Sequence, residues 1–532
     1  MRSTSVSQGP CGVAKRLVAA ETTRDVSSIQ MECSFVPTGN APLAAPVLEQ
    51  VTTTNVEVAG KTITELRHAL EARKNKAFTP YQPETWHRLL TKHHLLSKYP
   101  FLPHSLQYGF DARIPTIYST FTPDNSPTIY AHPQQYQELV NREFNTGRYF
   151  RPLSRVEVGG ILSPFQSSPL SLIPKPGKPD KCWGVHNFSF PHSPQDGLSS
   201  INHSIESNNF PCTWGTFAMI CTLIWHLPPG SQASICDVAE AYRTVPIVPS
   251  QWPGLVVKLH DPDQFAINTS DNFGISSAEG VYRSVADAGT DLFHALGISP
   301  LSKWVDDHIF FQILQEHLPQ YNKKCRAWRK EITTNGGHLQ DCSRYWFQGQ
   351  TMPNGQVMEF DEDANFPFQD FSSSSPDAPK DAHFTYNEDD IDQLSDELGI
   401  PWEKSKTIPF THSIPYLGFM WDLQTWTVAI PPSKKGKYLD AIREWNTCPT
   451  HALEDMRKMY GKLLHATLVV PAGRAYLVSL EAMLSTFNNH PFVPHHAPRE
   501  APNNLKWWAE TLSRPILSHA IPGPSELIDT QA

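Results

Sequence analysis

Two adjacent acids inside an apolar run constrain this chain more than any other feature. Asp306 and Asp307 stand between Lys303-Trp-Val and Ile309-Phe-Phe, bulky and β-branched stretches that read as strand on either side. Neighbouring carboxylates in a strand pattern are unfavourable unless they occupy a turn or bind cations. The arrangement predicts a hairpin over Lys303–Gln312 with the acids at its tip. Sixty-nine positions before Asp306, Asp237 ends another strand-like run, Ala233-Ser-Ile-Cys, and leads into Val-Ala-Glu-Ala-Tyr242. If the two runs are neighbours in one sheet, a hairpin carboxylate lies beside Asp237. Such a cluster suits two divalent metals about 3.5–4 Å apart, which activate an attacking oxygen and stabilise a leaving pyrophosphate. Taken alone, the Asp-Asp pair also reads as a solvated turn.

The chain is long enough, at 532 residues, for roughly three domains. Its 14 Trp, 16 Tyr and 27 Phe exclude global disorder, and its 47 Pro imply long Pro-rich connections. The net charge of -9 counts against nucleic acid only until it is located. Between Glu359 and Glu397 thirteen acids face one Lys, so the remainder carries a formal +3. No apolar run is long enough to span a bilayer and no signal-peptide core is visible. The nine Cys include no C-x-x-C pair. An intracellular protein, nuclear or cytoplasmic, is expected.

Residues 1–60 read as a disordered tail and 61–150 as a helical extension, with helices over Thr62–Lys76, Trp86–Leu96 and Gln134–Asn145 and an extended stretch over Pro100–Ser126. Residues 151–212 and 213–320 turn to short β-rich runs, with strands over Ser234–Val238 and Leu255–Leu259 and a helix over Ser276–Leu296. Residues 321–395 open on a basic helix and continue as an acidic, mobile insertion. Order resumes in 396–432, strand-like over Tyr416–Ile430. Residues 433–490 carry amphipathic helices over Lys434–Trp445 and Leu453–Leu484, and 491–532 form a Pro-rich tail.

Residues 144–484 resemble the reverse transcriptases of retroelements, most closely the fungal DIRS-like group that pairs this enzyme with a tyrosine recombinase. The resemblance runs through ordered blocks. Phe165-Gln-Ser-Ser-Pro-Leu, Ile173-Pro-Lys-Pro-Gly-Lys and Cys182-Trp-Gly-Val-His-Asn-Phe-Ser-Phe-Pro191 resemble fingers. Cys236-Asp-Val-Ala-Glu-Ala-Tyr-Arg-Thr-Val-Pro-Ile247 is similar to the first palm motif. Phe273-Gly-Ile-Ser-Ser-Ala-Glu-Gly280 resembles the template-positioning block, Trp304-Val-Asp-Asp307 the aromatic-x-Asp-Asp motif, and Tyr416-Leu-Gly-Phe419 the primer grip.

The resemblance implies an α+β right-hand polymerase: fingers at 151–212, a palm with an antiparallel sheet at 213–320 and 396–432, and a helical thumb and connection at 433–490. It implies RNA-directed DNA synthesis with two Mg²⁺ or Mn²⁺ ions on Asp237, Asp306 and Asp307. Partners would be an RNA or DNA template with primer, and deoxynucleoside triphosphates. Tyr242 would crowd a ribose 2′-hydroxyl. Lys175, Lys178 and Lys181 would face the triphosphate, with Lys406 (Lys404 its rival) near the leaving group. Gly274, Gly280, Tyr416, Leu417 and Gly418 would lie along template and primer. In relatives a ribonuclease H domain follows the segment that here ends at Ala532, so a fragment of a longer polyprotein is expected.

This chain departs from the pattern where relatives have Arg-x-x-x-Asp in the fingers and this chain has Trp183 and Asn187, and where Glu279 replaces a common Pro or Gln. Losing a guanidinium contact to phosphate weakens nucleotide binding by about 1.5–3 kcal/mol. The alternative is therefore a catalytically decayed protein of the same fold that at most binds nucleic acid.

Overall fold

The computed structural model describes residues 62–75, 77–175, 177–194, 198–210, 212, 214–260, 264–334, 338–340, 344–351, 357–363, 383–487 and 492–523. The fold mixes helices with antiparallel sheets, and no described helix is long and apolar enough to cross a membrane.

The central sheet has four antiparallel strands in the order Ile408–Thr411, Gln232–Asp237, Asp307–Gln312, Leu301–Trp304. Residues 233–237 are buried without alternation, because both faces of the strand are covered. On one side Ala233, Ile235, Ile309 and Phe311 pack with Ile220 and Ile224 of the Phe217–His226 helix. On the other, Cys236, Val238 and Phe310 join a core with Leu292 and Phe293 of the Ala278–Ala295 helix.

The predicted hairpin is present. Trp304 pairs with Asp307, so Val305 and Asp306 form a two-residue turn. Turns of that length need positive φ, and Val305 supplies it at +53°. A β-branched residue there stores about 1–3 kcal/mol of strain.

A second hairpin, Leu170–Lys175 with Lys178–His186, precedes this sheet in the chain. A three-stranded sheet, Tyr149–Ser154, Gln264–Asn268 and Val256–Lys258, is also present. Beyond the central sheet, Ser413–Tyr416, Phe419–Asp422, Thr427–Ala429 and Ser518–Ala520 form another four-stranded sheet. Helices Pro432–Trp445, Leu453–Ala466, Val478–Thr486 and Ala501–Leu512 pack with it around Trp421 and Trp508.

Three expectations need correction. The Leu453–Leu484 helix is two helices with a 3₁₀ turn, Pro471–Tyr476, between them; Pro471 has no N–H to continue the first helix. The Pro100–Ser126 stretch contains a helix, Leu102–Tyr108, because Pro103 falls in its first turn, where no N–H is needed. The basic helix expected after Leu318 is present as Leu318–Thr334, but the insertion beyond it, expected to be mobile, carries regular backbone where it is described: a three-stranded antiparallel sheet (His338–Gln340, Arg344–Thr351, Val357–Asp363) and a helix Glu388–Leu398. That last helix turns local acidity to use. Asn387 caps it in a capping box, and Glu388, Asp389 and Asp390 in its first turn complement the helix dipole. Residues 364–382, and the tail expected over 1–60, lie outside the described residues.

Candidate functional site

The register of the central sheet builds the site. Asp237 is paired directly with Asp307 across two antiparallel strands, and the turn adds Asp306. One carboxylate oxygen from each lies within 4.8 Å of the others. The backbone locks this geometry. The Val238 N–H donates to the Asp306 carbonyl (2.9 Å) and the Glu403 N–H to the Asp237 carbonyl (2.8 Å). The Tyr416 hydroxyl donates to the Asp307 carbonyl at 3.2 Å.

Three carboxylates this close resist simultaneous ionisation. Burial, and then the charge of Asp237, push Asp306 up to about 6. Burial, then Asp306 and Asp237, push Asp307 up to about 8. His308, buried beneath the turn and facing Lys303, is driven down to about 3 and is neutral. The cluster therefore calls for positive charge. Lys406 provides some: its ammonium donates to both Asp237 oxygens at 2.8 Å. Partial burial works against that ammonium, but Asp237, Asp306 and Asp307 outweigh it and hold Lys406 above its ordinary range. Hard oxygen donors with more negative charge than one lysine offsets fit Mg²⁺ or Mn²⁺.

Tyr242 sits five residues beyond Asp237 in a 3₁₀ turn, Ala241–Thr244, and is buried. Its ring is wedged against Phe273 (4.9 Å between centroids) and Tyr282 (5.8 Å). Lys175 lies with its ammonium 5.6 Å from the Trp183 ring. Burial lowers its pKa, followed by the positive charges of Arg142, Lys406, Lys181 and Lys178. Lys175, Lys178 and Lys181 therefore share a basic field with Lys406, and Lys178 and Lys181 are exposed. Trp183 is paired with Ile173 in the hairpin, and the Asn187 N–H donates to the Pro169 carbonyl at 2.8 Å.

The glycines meet this chain itself. At Gly274 (φ +102°) a Cβ would come 2.5 Å from the His186 carbonyl oxygen, and at Gly280 2.5 Å from the Phe210 Cβ. Tyr416, Leu417 and Gly418 form the turn between two strands, with φ +50° at Leu417 and +77° at Gly418. The Leu417 carbonyl faces His465 Nε2 at 3.2 Å.

Lys404 and Lys406 contact different acids. Lys404 contacts both Asp392 oxygens at 2.6 Å, leaving Lys406 to the triad. Asp287 pairs with Lys303 and Arg283. Glu279 accepts from the Trp214 indole. Trp507 stacks on Tyr476 at 3.9 Å, and Trp508 is fully buried.

Sequence reasoning missed a buried ion network at Arg243, the residue after Tyr242. Arg243 donates to Glu143 (2.5 Å), Asn268 (2.9 Å) and Asn272 (2.7 Å), and Arg148 donates to Glu143 (3.2 Å) and Glu240 (2.7 Å). Beside them the buried Asp271 is raised to about 7 by desolvation. The only sequence signal was a lone Arg directly after Tyr242; its partners come from two distant segments, at Glu143 and at 268–272.

No family model matches the chain, and neither does any curated protein. Among solved structures, the chain is similar to the foamy viral protease-reverse transcriptase dRH in complex with ds DNA, at 14% identity over 87% of this chain and 62% of that one, with a TM-score of 0.45. The foamy viral protease-reverse transcriptase with RNA/DNA hybrid gives 14%, 87%, 48% and 0.43. The same protein with dsDNA gives 12%, 86%, 72% and 0.45. This chain spans less than two thirds of the length of the first two.

Proposed function

We propose that this chain is an RNA-directed DNA polymerase of a retrotransposon, of the DIRS-like kind that its motifs resemble. It would transfer a deoxynucleotide from a triphosphate to a primer 3′-hydroxyl. The observation that carries the reading is the convergence of Asp237, Asp306 and Asp307 within 4.8 Å, at the register where the resemblance requires it.

Two divalent ions on these three acids would supply the charge that activates the hydroxyl and neutralises the leaving pyrophosphate. The remaining steps belong to the chain. Lys175, Lys178 and Lys181 bind and orient the triphosphate. Tyr242, packed against Phe273 and Tyr282, excludes a ribose 2′-hydroxyl. The Tyr416–Gly418 turn, tied to the carbonyl of Asp307 by Tyr416, aligns the primer end with the triad. Lys406 holds a proton beside Asp237, where it can be given to the leaving oxygen.

Trp183 favours a second reading, a lapsed polymerase that keeps only nucleic-acid binding, since an indole makes no charge-assisted bond to phosphate. Primer extension on an RNA template with Mg²⁺ and Mn²⁺ decides between them. The first reading expects dNTP incorporation that disappears in Asp306→Asn with Asp307→Asn. Template-primer binding without extension by the wild-type chain establishes the second.

A further inference from the structure

The site described above depends on where Lys406 is held, and the structure contains a mount for it. Residues 399–406 leave the Glu388–Leu398 helix at Gly399, which adopts φ +75° with its Cα against the Pro80 carbonyl. They then run antiparallel to the end of the Asp237 strand. The Ala239 N–H donates to the Pro401 carbonyl and the Glu403 N–H to the Asp237 carbonyl, both at 2.8 Å, and Trp402 bridges Val238. The Lys406 N–H closes a turn onto the Glu403 carbonyl at 2.8 Å. The backbone thus grips the residue whose carboxylate Lys406 contacts.

Trp402 ties this loop to two other elements. Its indole N–H donates to Ser395 Oγ at 2.7 Å, inside the core. Its ring meets His308 edge-on at 5.3 Å and Phe310 at 6.2 Å, both on the strand that begins with Asp307. The Lys404–Asp392 pair on the same loop is exposed and adds little energy; its effect is to keep a second ammonium off the triad. The buried tryptophan is the stronger pin.

We infer that Trp402, held by Ser395, is a positioning residue that sets Lys406 against Asp237, so that the Glu388–Leu398 helix and the aspartate strand are registered with the lysine through one side chain. This inference rests on the polymerase reading and deepens it, and no other part of the mechanism uses Trp402.

Two variants test it in the full-length chain. Trp402→Phe removes the indole N–H and keeps most of the packing; Ser395→Ala removes the same bond from the other side and leaves Trp402 intact. Hydrogen exchange followed by mass spectrometry reads the loop without any need for activity. Both variants are expected to accelerate exchange in peptides covering 399–406 by about tenfold, the loss of one buried hydrogen bond, and to leave peptides covering 301–312 unchanged. Single-nucleotide addition then reads the consequence. Each variant should lower the maximal rate about three- to tenfold with little change in nucleotide KM, and should have no further effect in a Lys406→Ala background. Unchanged exchange in both variants overturns the mount. An effect that persists undiminished without Lys406 overturns its link to the lysine. A wild-type chain that adds no nucleotide removes the polymerase reading instead, and the exchange result still decides whether the mount exists.

Discussion

The buried ion network at Arg243 makes a demanding prediction. Glu143 is 3% exposed and lies between Arg148 and Arg243, which are 6% and 7% exposed. Burial opposes its charge, but Arg243 and Arg148 prevail and hold the carboxyl below its ordinary range. Glu143→Gln keeps the shape and removes the charge, leaving two guanidinium groups close together in a poorly solvated pocket. Breaking a buried pair in this way costs about 3–5 kcal/mol. With a urea dependence of about 3 kcal/mol per molar, the unfolding midpoint should fall by at least about 1 M. Urea unfolding followed by tryptophan fluorescence measures this, with Glu71→Gln on an exposed helical face as the control. The pH dependence carries a sign. A carboxyl whose folded pKa is depressed stabilises the fold above its unfolded pKa, near 4.5, and that stabilisation is lost as pH falls through the lower folded value. The wild type and Glu143→Gln should therefore converge at strongly acidic pH. A midpoint no lower than that of Glu71→Gln at pH 7 would refute the account of this buried ion network.

Three further outcomes are expected. Asp271 is raised to about 7 by burial, so its contribution is unpenalised below about pH 4 and is lost as pH rises through 7; Asp271→Asn should raise the melting temperature at pH 8 and leave it nearly unchanged at pH 4. Tyr242→Val should reduce discrimination against ribonucleotides by about 10- to 200-fold in primer extension, the range for one bulky group in a pocket. Gly399 and Gly418 share a left-handed φ, yet an added Cβ meets the Pro80 carbonyl, part of the backbone, in one case and the far end of the Lys434 side chain in the other. Gly418→Ala should cost about 1–2 kcal/mol by thermal denaturation, for the left-handed backbone alone, and Gly399→Ala distinctly more.

The chemistry of the site was legible where it depended on local pattern. A strand ending in Asp237 and a hairpin turning at Asp306 both follow from apolar runs broken by acids, and the antiparallel pairing of Asp237 with Asp307 follows if the two runs are neighbours. Lys406 could not be separated from Lys404, since only the fold reveals that Asp392 takes one and Asp237 the other. The Glu143–Arg243 bond spans one hundred positions, a separation at which no periodicity connects the partners. At Gly274 and Gly280 the groups within the chain that a side chain would meet, the His186 carbonyl and Phe210, come from distant segments that no local pattern reveals. Charge density argues for solvation over the acidic insertion, whereas at its end Asn387 sets three of those acids, Glu388, Asp389 and Asp390, at a helix N-terminus.

The central claim is that Asp237, Asp306 and Asp307 form a divalent-metal centre for nucleotide transfer. Manganese binding, followed by electron paramagnetic resonance, tests it most directly, with the chain loaded with template, a chain-terminated primer and the matching dNTP. The account predicts two bound Mn²⁺ ions per chain in excess of those held by the nucleic acid and dNTP alone, both lost in Asp306→Asn with Asp307→Asn. Equal Mn²⁺ binding by the wild type and that variant would contradict it.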